Sequence, residues 1–192
     1  MHLRDEKLQL RMAIKERLAR LSDGDRHAEG RSLSRRILEA LPPEPVAICA
    51  YYPLTDEGDI RLALQTLLEK RCTLYLPRFE NGKMVFRLAK TLDELVKGQF
   101  GIPEPPIGNP LLDPHTDPLY VLVPARAYDD KGHRTGRGNG GYDIWIRAQR
   151  KANPQTHFWG VCLECQIVQH IPMEEHDESV DALITARGFK AF

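Results

Sequence analysis

The 192-residue chain has no run of about 18 consecutive apolar residues, so its sequence predicts no membrane-spanning helix. Residues 1–20 mix charge throughout and contain no signal-peptide h-region, and a cytoplasmic location is expected. An excess of either sign is also missing: 27 basic residues balance 27 acidic ones, which leaves no field for nucleic acid or a membrane surface. Cysteine is scarce. Cys49, Cys72, Cys162 and Cys165 read as reduced thiols, and Cys162-x-x-Cys165 lacks a second ligand pair spaced for zinc. Internal repeats, low-complexity tracts, a Ser or His triad and a G-x-x-x-x-G-K-[ST] P-loop are all absent. The length fits one domain, 1–192, expected to act as a monomer.

What is present alternates between two periodicities. Leu3, Leu10, Ile14, Leu18 and Leu21 recur at near-helical spacing, and a second helix is predicted over 26–40 after a break at Ser22-Asp23-Gly24-Asp25. Apolar runs at 46–52, 72–76, 119–123 and 158–163 read as buried strands, with an edge strand at 84–88 and a short last one at 182–185. Pro77 is expected to end the second of these strands, Asp59 to cap a helix reaching Lys70, and 100–118 to form surface loop. A further helix is predicted over 143–152. Near-continuous apolar strands alternating with helices define an α/β fold with a mainly parallel central sheet covered on both faces. In such sheets ligands gather at the carboxyl ends of strands, where 52–57, 124–143 and the residues after 163 all fall.

The segment Arg134-Thr135-Gly136-Arg137-Gly138-Asn139-Gly140-Gly141-Tyr142-Asp143 carries four glycines in six positions, two arginines and a carboxylate. Glycines let successive N–H groups turn toward an anion, and the arginines add positive charge. The pattern suits a triphosphate with magnesium. It also satisfies G-x-G-x-x-G, but a dinucleotide fingerprint should follow its strand directly and here a dozen polar residues intervene. Lys7-Leu8-Gln9-Leu10-Arg11 sets two cations four apart on one helical face, either a solvated face or a phosphate clamp. Tyr51 and Tyr52, just past a strand, read either as core or edge packing or, with Glu57, as a place where a half-buried carboxylate accepts N–H groups of a heterocycle. Glu174-Glu175-His176-Asp177 is an acidic cluster suited to a hard cation if the fold brings Asp177 to Asp143.

The order Lys7-x-x-x-Arg11, Tyr52-x-x-x-x-Glu57, Phe100-Gly101-Ile102-Pro103-Glu104-Pro105, Val123-Pro124-Ala125-x-Ala127-Tyr128-Asp129, Gly132-x-Arg134-x-Gly136-Arg137-Gly138-x-Gly140-x-Tyr142-Asp143 and His176-Asp177-x-x-x-Asp181 resembles the 5-formyltetrahydrofolate cyclo-ligase family, over about 7–185. The resemblance implies a three-layer α/β sandwich and an ATP- and magnesium-dependent cyclisation of a reduced folate, with release of ADP and phosphate. It implies that Lys7 to Arg11 and Arg134 to Tyr142 bind ATP, with Arg134 and Arg137 catalytic. By the same resemblance Tyr52, Glu57 and Arg137 to Gly141 touch the folate, and Asp143 and Asp177 hold magnesium. The family pattern commonly carries two aromatics before the aspartate, whereas here the first is Gly141, a loss of stacking surface of order 1 kcal/mol. Trp145, Trp159 and Phe100 are candidates to replace it. Two other readings stay open: a paralogue phosphorylating a different small formamide or amide, and a non-catalytic ATP-binding regulator.

Overall fold

Side chains alternate across each central strand, and the alternation sorts them into two cores. In the computed structural model, which describes residues 3–98 and 101–192, Ile48 and Leu122 face one core, and Cys49, Val121 and Val123 face the other. The first core is filled by helices α1 (Leu3–Ala19), α2 (Asp23–Ala40) and α3 (Arg61–Glu69). The second takes Ile146, Tyr142 and Trp145 of α4 (Gly141–Ala152). Sheet and two helical layers make the expected three-layer sandwich.

The strands are β1 (Ala47–Cys49), β2 (Thr73–Glu80), β3 (Lys83–Leu88), β4 (Val96–Lys97), β5 (Pro103–Glu104), β6 (Leu119–Pro124), β7 (Ala127–Tyr128), β8 (Arg134–Thr135), β9 (His157–Val161), β10 (Ala182–Thr185) and β11 (Gly188–Ala191). Seven of them form the main sheet in the order β11-β10-β9-β6-β1-β2-β3. Its five inner strands pair in parallel, while β3 and β11 close the edges antiparallel. Order runs outward in one direction from β1 and in the other from β6, so these neighbours mark the switch point where a ligand crevice opens.

Several boundaries differ from the sequence reading. β2 runs through Pro77, because β1 stops at the Cys49–Tyr75 pair and the missing proline N–H falls where no inner partner remains. β1 itself is short, ending at Cys49 before Tyr51 and Tyr52, which pack on the first core and border the crevice. The 100–118 segment is pinned by the β4–β5 ribbon and a bridge between Arg87 and Leu111, and Phe100 lies outside the described residues. α3 begins at Arg61, whose backbone N–H donates to Asp59 Oδ1 at 3.1 Å. Ser22 caps α2 by accepting from the Asp25 N–H at 3.1 Å.

Candidate active site at the sheet switch point

A cleft of about 700 Å³ opens where β1 and β6 end. Chain leaving β1 supplies Tyr51, Tyr52, Leu54 and Glu57, and chain leaving β6 supplies Pro124 and Ala125. The whole segment Arg134 to Asp143 lines it, as do Lys7, Leu8 and Arg11 from α1 and Glu174, His176 and Asp177. Of the run Lys7 to Arg11, Gln9 and Leu10 do not line it, and Leu10 packs on the core. Residues far apart in sequence therefore meet in one crevice.

The glycine segment enters through β8, which pairs with β7 in a two-stranded ribbon outside the main sheet. That ribbon is not the sheet strand a dinucleotide fingerprint requires. Gly138 and Gly140 adopt φ of 96° and 68°, left-handed values that a side chain rarely tolerates. Gly140 precedes α4 with no side chain to cap it, and the Gly141 N–H donates to Asn139 Oδ1 at 3.4 Å, so the helix N-terminus lies at the cleft, a setting that favours anions. Arg11 Nε donates to the Gly136 carbonyl at 2.9 Å and ties α1 to the loop.

Every cation in this cleft that the sequence singled out has a protein partner. Lys7, only 5 % exposed, lies 2.7 Å from Glu174 and 2.5 Å from Asp177. Burial works against its charge, but hydrogen bonds to Asp177 and Glu174 outweigh it and raise its pKa. Asp177 is likewise held below its ordinary value, burial opposing and Lys7 prevailing. Arg134 is buried and donates to Asp143 Oδ1 at 2.6 Å, and the same oxygen accepts the Glu178 N–H at 3.0 Å. Arg137 reaches Asp56 and, at 3.3 Å, Glu57 Oε1. The other Glu57 oxygen accepts the Leu54 N–H at 3.0 Å. Burial raises the Glu57 pKa, and neither that N–H nor Arg137 brings it back.

Three buried polar atoms beside the cleft have no hydrogen-bond partner among the described residues: Arg134 Nε, Thr135 Oγ1 and the Tyr142 hydroxyl. Orphans of this kind are uncommon in a settled interior and suit a polar ligand. The group Glu174, His176 and Asp177 brings one ligand atom each within 4.8 Å of one another. Asp143 lines the same cleft but is engaged by Arg134. The carboxylate oxygens fit a hard cation better than the imidazole does.

Tyr52 lines the cleft as expected; Tyr51 also borders it, but is buried in the core and donates its hydroxyl to the Gly58 carbonyl at 2.9 Å. Neither tryptophan stands in for the missing aromatic. Trp145 packs on Phe86 with ring centroids 4.4 Å apart, and Trp159 on Tyr120 at 4.8 Å and Phe189 at 5.1 Å, all away from the cleft. The ring that is there is Phe79: a β-carbon at Gly141 would meet it at 3.8 Å. The sequence reading missed Phe79 because it lies beyond Pro77, where the strand was expected to end.

A parallel sheet covered on both faces, with a cationic glycine loop at its switch point, defines the class as a three-layer α/β enzyme. The model of the 5-formyltetrahydrofolate cyclo-ligase family matches residues 4–186, and the chain belongs to that family. Among its relatives is the 5-formyltetrahydrofolate cyclo-ligase of Mycolicibacterium smegmatis, 31 % identical over 94 % of this chain and 94 % of the relative. The Escherichia coli K12 protein of that name is 26 % identical over 90 % of this chain and 96 % of its own. The solved Aquifex aeolicus 5,10-methenyltetrahydrofolate synthetase superposes with a TM-score of 0.81 at 25 % identity, covering 96 % of this chain and 92 % of that one. The synthetase structure from Mycoplasma pneumoniae, with a TM-score of 0.72 and 17 % identity over 94 % of this chain and 98 % of that one, supports the fold alone. Family and relatives make the chain a ligase and support cyclo-ligase activity on a reduced folate.

Proposed function

We propose that the chain, acting as one domain, uses ATP to close 5-formyltetrahydrofolate to 5,10-methenyltetrahydrofolate, releasing ADP and phosphate. The observation that carries this reading is the contact of Arg137 with Glu57: the arm suited to phosphate and the acid suited to a pterin meet at 3.3 Å in one cleft. Glu57 accepts pterin N–H groups, and Tyr52 and Phe79, which line the same cleft, offer it apolar faces. The glycine backbone, the α4 N-terminus, Lys7, Arg11, Arg134 and Arg137 bind the triphosphate.

A formamide oxygen leaves poorly, so it first takes the γ-phosphoryl group, and ADP departs. The folate N10 then attacks the formyl carbon, phosphate leaves, N10 gives up its proton, and the five-membered ring is closed. Catalysis is alignment of oxygen with phosphorus plus neutralisation of the transferring oxygens by Arg137 and Arg134. Asp177 and Asp143 would hold a magnesium ion, with Glu174 at hand, and the ion would supply further charge neutralisation when bound. For that, Lys7 must turn from Asp177 and Glu174 toward the phosphates.

Spectrophotometry with ATP, magnesium and 5-formyltetrahydrofolate tests the reading: methenyl absorbance should rise only when all are present. Gly141 favours one competing reading, a relative acting on another small formamide. Consumption of ATP with such a compound but not with the folate would replace the proposal, and ATP binding without any turnover would point to a regulator.

A further inference from the structure

Asp56 stands between two arginines behind the wall of the cleft. Its Oδ1 accepts from Arg137 Nη2, and its Oδ2 accepts from Arg126 Nη1. Arg137 lines the cleft, whereas Asp56 and Arg126 do not. The guanidinium assigned to the transferring phosphoryl group is thus paired with carboxylates. Turning to a phosphate means leaving Asp56, whose side chain is 30 % exposed. A partly buried carboxylate that loses its only counter-ion is strongly disfavoured, and that penalty would hold Arg137 back.

Arg126 removes the penalty. Its side chain, 21 % exposed, pairs with the Asp56 oxygen that Arg137 does not use. Its backbone is fixed independently of any ligand: the N–H donates to the Thr135 carbonyl at 2.8 Å, and the carbonyl accepts from Gln166 Nε2 at 3.1 Å. The first of these ties Arg126 to the strand that leads into the glycine loop. Asp56 therefore keeps a counter-ion whichever way Arg137 points.

We infer that Arg126 is a positioning residue: as a standing partner of Asp56, it sets how readily Arg137 passes from that carboxylate to the phosphates of the nucleotide. The inference rests on ATP being the phosphoryl donor. Sequence reasoning gave no hint of it, since Arg126 follows a strand end without belonging to the glycine motif.

Calorimetric titration of the whole protein with magnesium-ATP, folate absent, tests the exchange. Arg126→Met should weaken ATP binding about five- to tenfold, because Asp56 then depends on Arg137 alone. Asp56→Asn should tighten binding a few-fold, and the double variant should match Asp56→Asn within twofold, since Asp56 then carries no charge for Arg126 to balance and Arg137 keeps the same remaining partner, Glu57, in both. Arg126→Lys, which keeps the charge, should stay within threefold of the parent. Additive effects of the two substitutions would show two independent fields and overturn the inference, as would an unchanged affinity in Arg126→Met. If Arg126→Met does not fold, weaker binding in Asp56→Asn overturns it and tighter binding with Arg126→Lys preserved sustains it. Turnover of 5-formyltetrahydrofolate by the parent is measured alongside. Tight ATP binding without that turnover ends the functional reading and leaves the cycle legible, whereas no ATP binding ends both.

Discussion

Gly160 sits inside β9, and its bare Cα faces the ring of Tyr128. A β-carbon there would stand 2.6 Å from Tyr128 Cε1, 2.8 Å from Cζ and 3.0 Å from Leu183 Cδ1. The ring has little room to retreat. It is fully buried, its hydroxyl donates to the Val123 carbonyl at 2.6 Å, and its own carbonyl accepts the Val168 N–H at 2.9 Å. Tyr128 also pairs with Arg134 across the β7–β8 ribbon, so a push on the ring is transmitted to the residue that holds Asp143. Overpacking of this kind costs about 1–3 kcal/mol. For a chain of this size that is roughly 2–12 °C in Tm. Gly160→Ala should therefore melt earlier by circular dichroism and turn over more slowly at room temperature. Gly108→Ala, whose β-carbon meets nothing within 4 Å, is the control and should change stability by less than about 0.5 kcal/mol. A Gly160→Ala protein melting with the parent would show that Tyr128 yields, and the reasoning would fail.

Three further outcomes follow from the same geometry. Because burial raises the Glu57 pKa, the folded state binds that proton more tightly than the unfolded chain, so stability falls as pH rises from the ordinary glutamate value through the raised one. Glu57→Gln should flatten that part of a pH series of melts. In the parent, kcat/KM for the folate should drop on acidification through the raised value, as the N–H acceptor is lost; parallel pH profiles for parent and variant would contradict the role. Lys7→Met leaves Asp177, whose side chain is 11 % exposed, without its counter-ion, at a cost of about 2 kcal/mol. Asp177, with its depressed pKa, adds stability above the ordinary carboxylate value and loses it as pH falls through the depressed one, so the variant should lack that acid-side loss and bind ATP at least fivefold more weakly; an unchanged melt and ATP titration would refute this. A β-carbon at Gly98 would lie 2.0 Å from Glu104 Cδ, and Glu104, only 2 % exposed, pairs with Arg78 at 3.3 Å beside Phe79. Gly98→Ala should lower Tm and raise KM for the folate more than KM for ATP, and equal changes in both would speak against Glu104 anchoring the pterin side.

Much of the fold was legible because buried parallel strands read as apolar runs and helices as periodic ones. What escaped had no such signal. The two-residue strands of the β4–β5 and β7–β8 ribbons are too short for a period, and β2 continues past Pro77 only because β1 ends there. At the site, Arg134 to Asp143 stood out by composition, and left-handed φ values at Gly138 and Gly140 agree with why glycine is there. Phe79, Asp56 and Arg126 did not stand out. Their relevance lies in which neighbours they meet, and single aromatic or charged residues at strand ends are ordinary.

The amino-acid order by itself determined the α/β layering, the family and the cationic glycine loop, because periodicity, composition and motif spacing are local properties of the chain. Only the tertiary structure decided that Lys7 answers Asp177, that Arg137 is shared between Asp56 and Glu57, and that Phe79 lies where Gly141 leaves room. Such pairings depend on how strand order and loop closure bring together segments up to 170 residues apart, and no local pattern encodes which charge will face which.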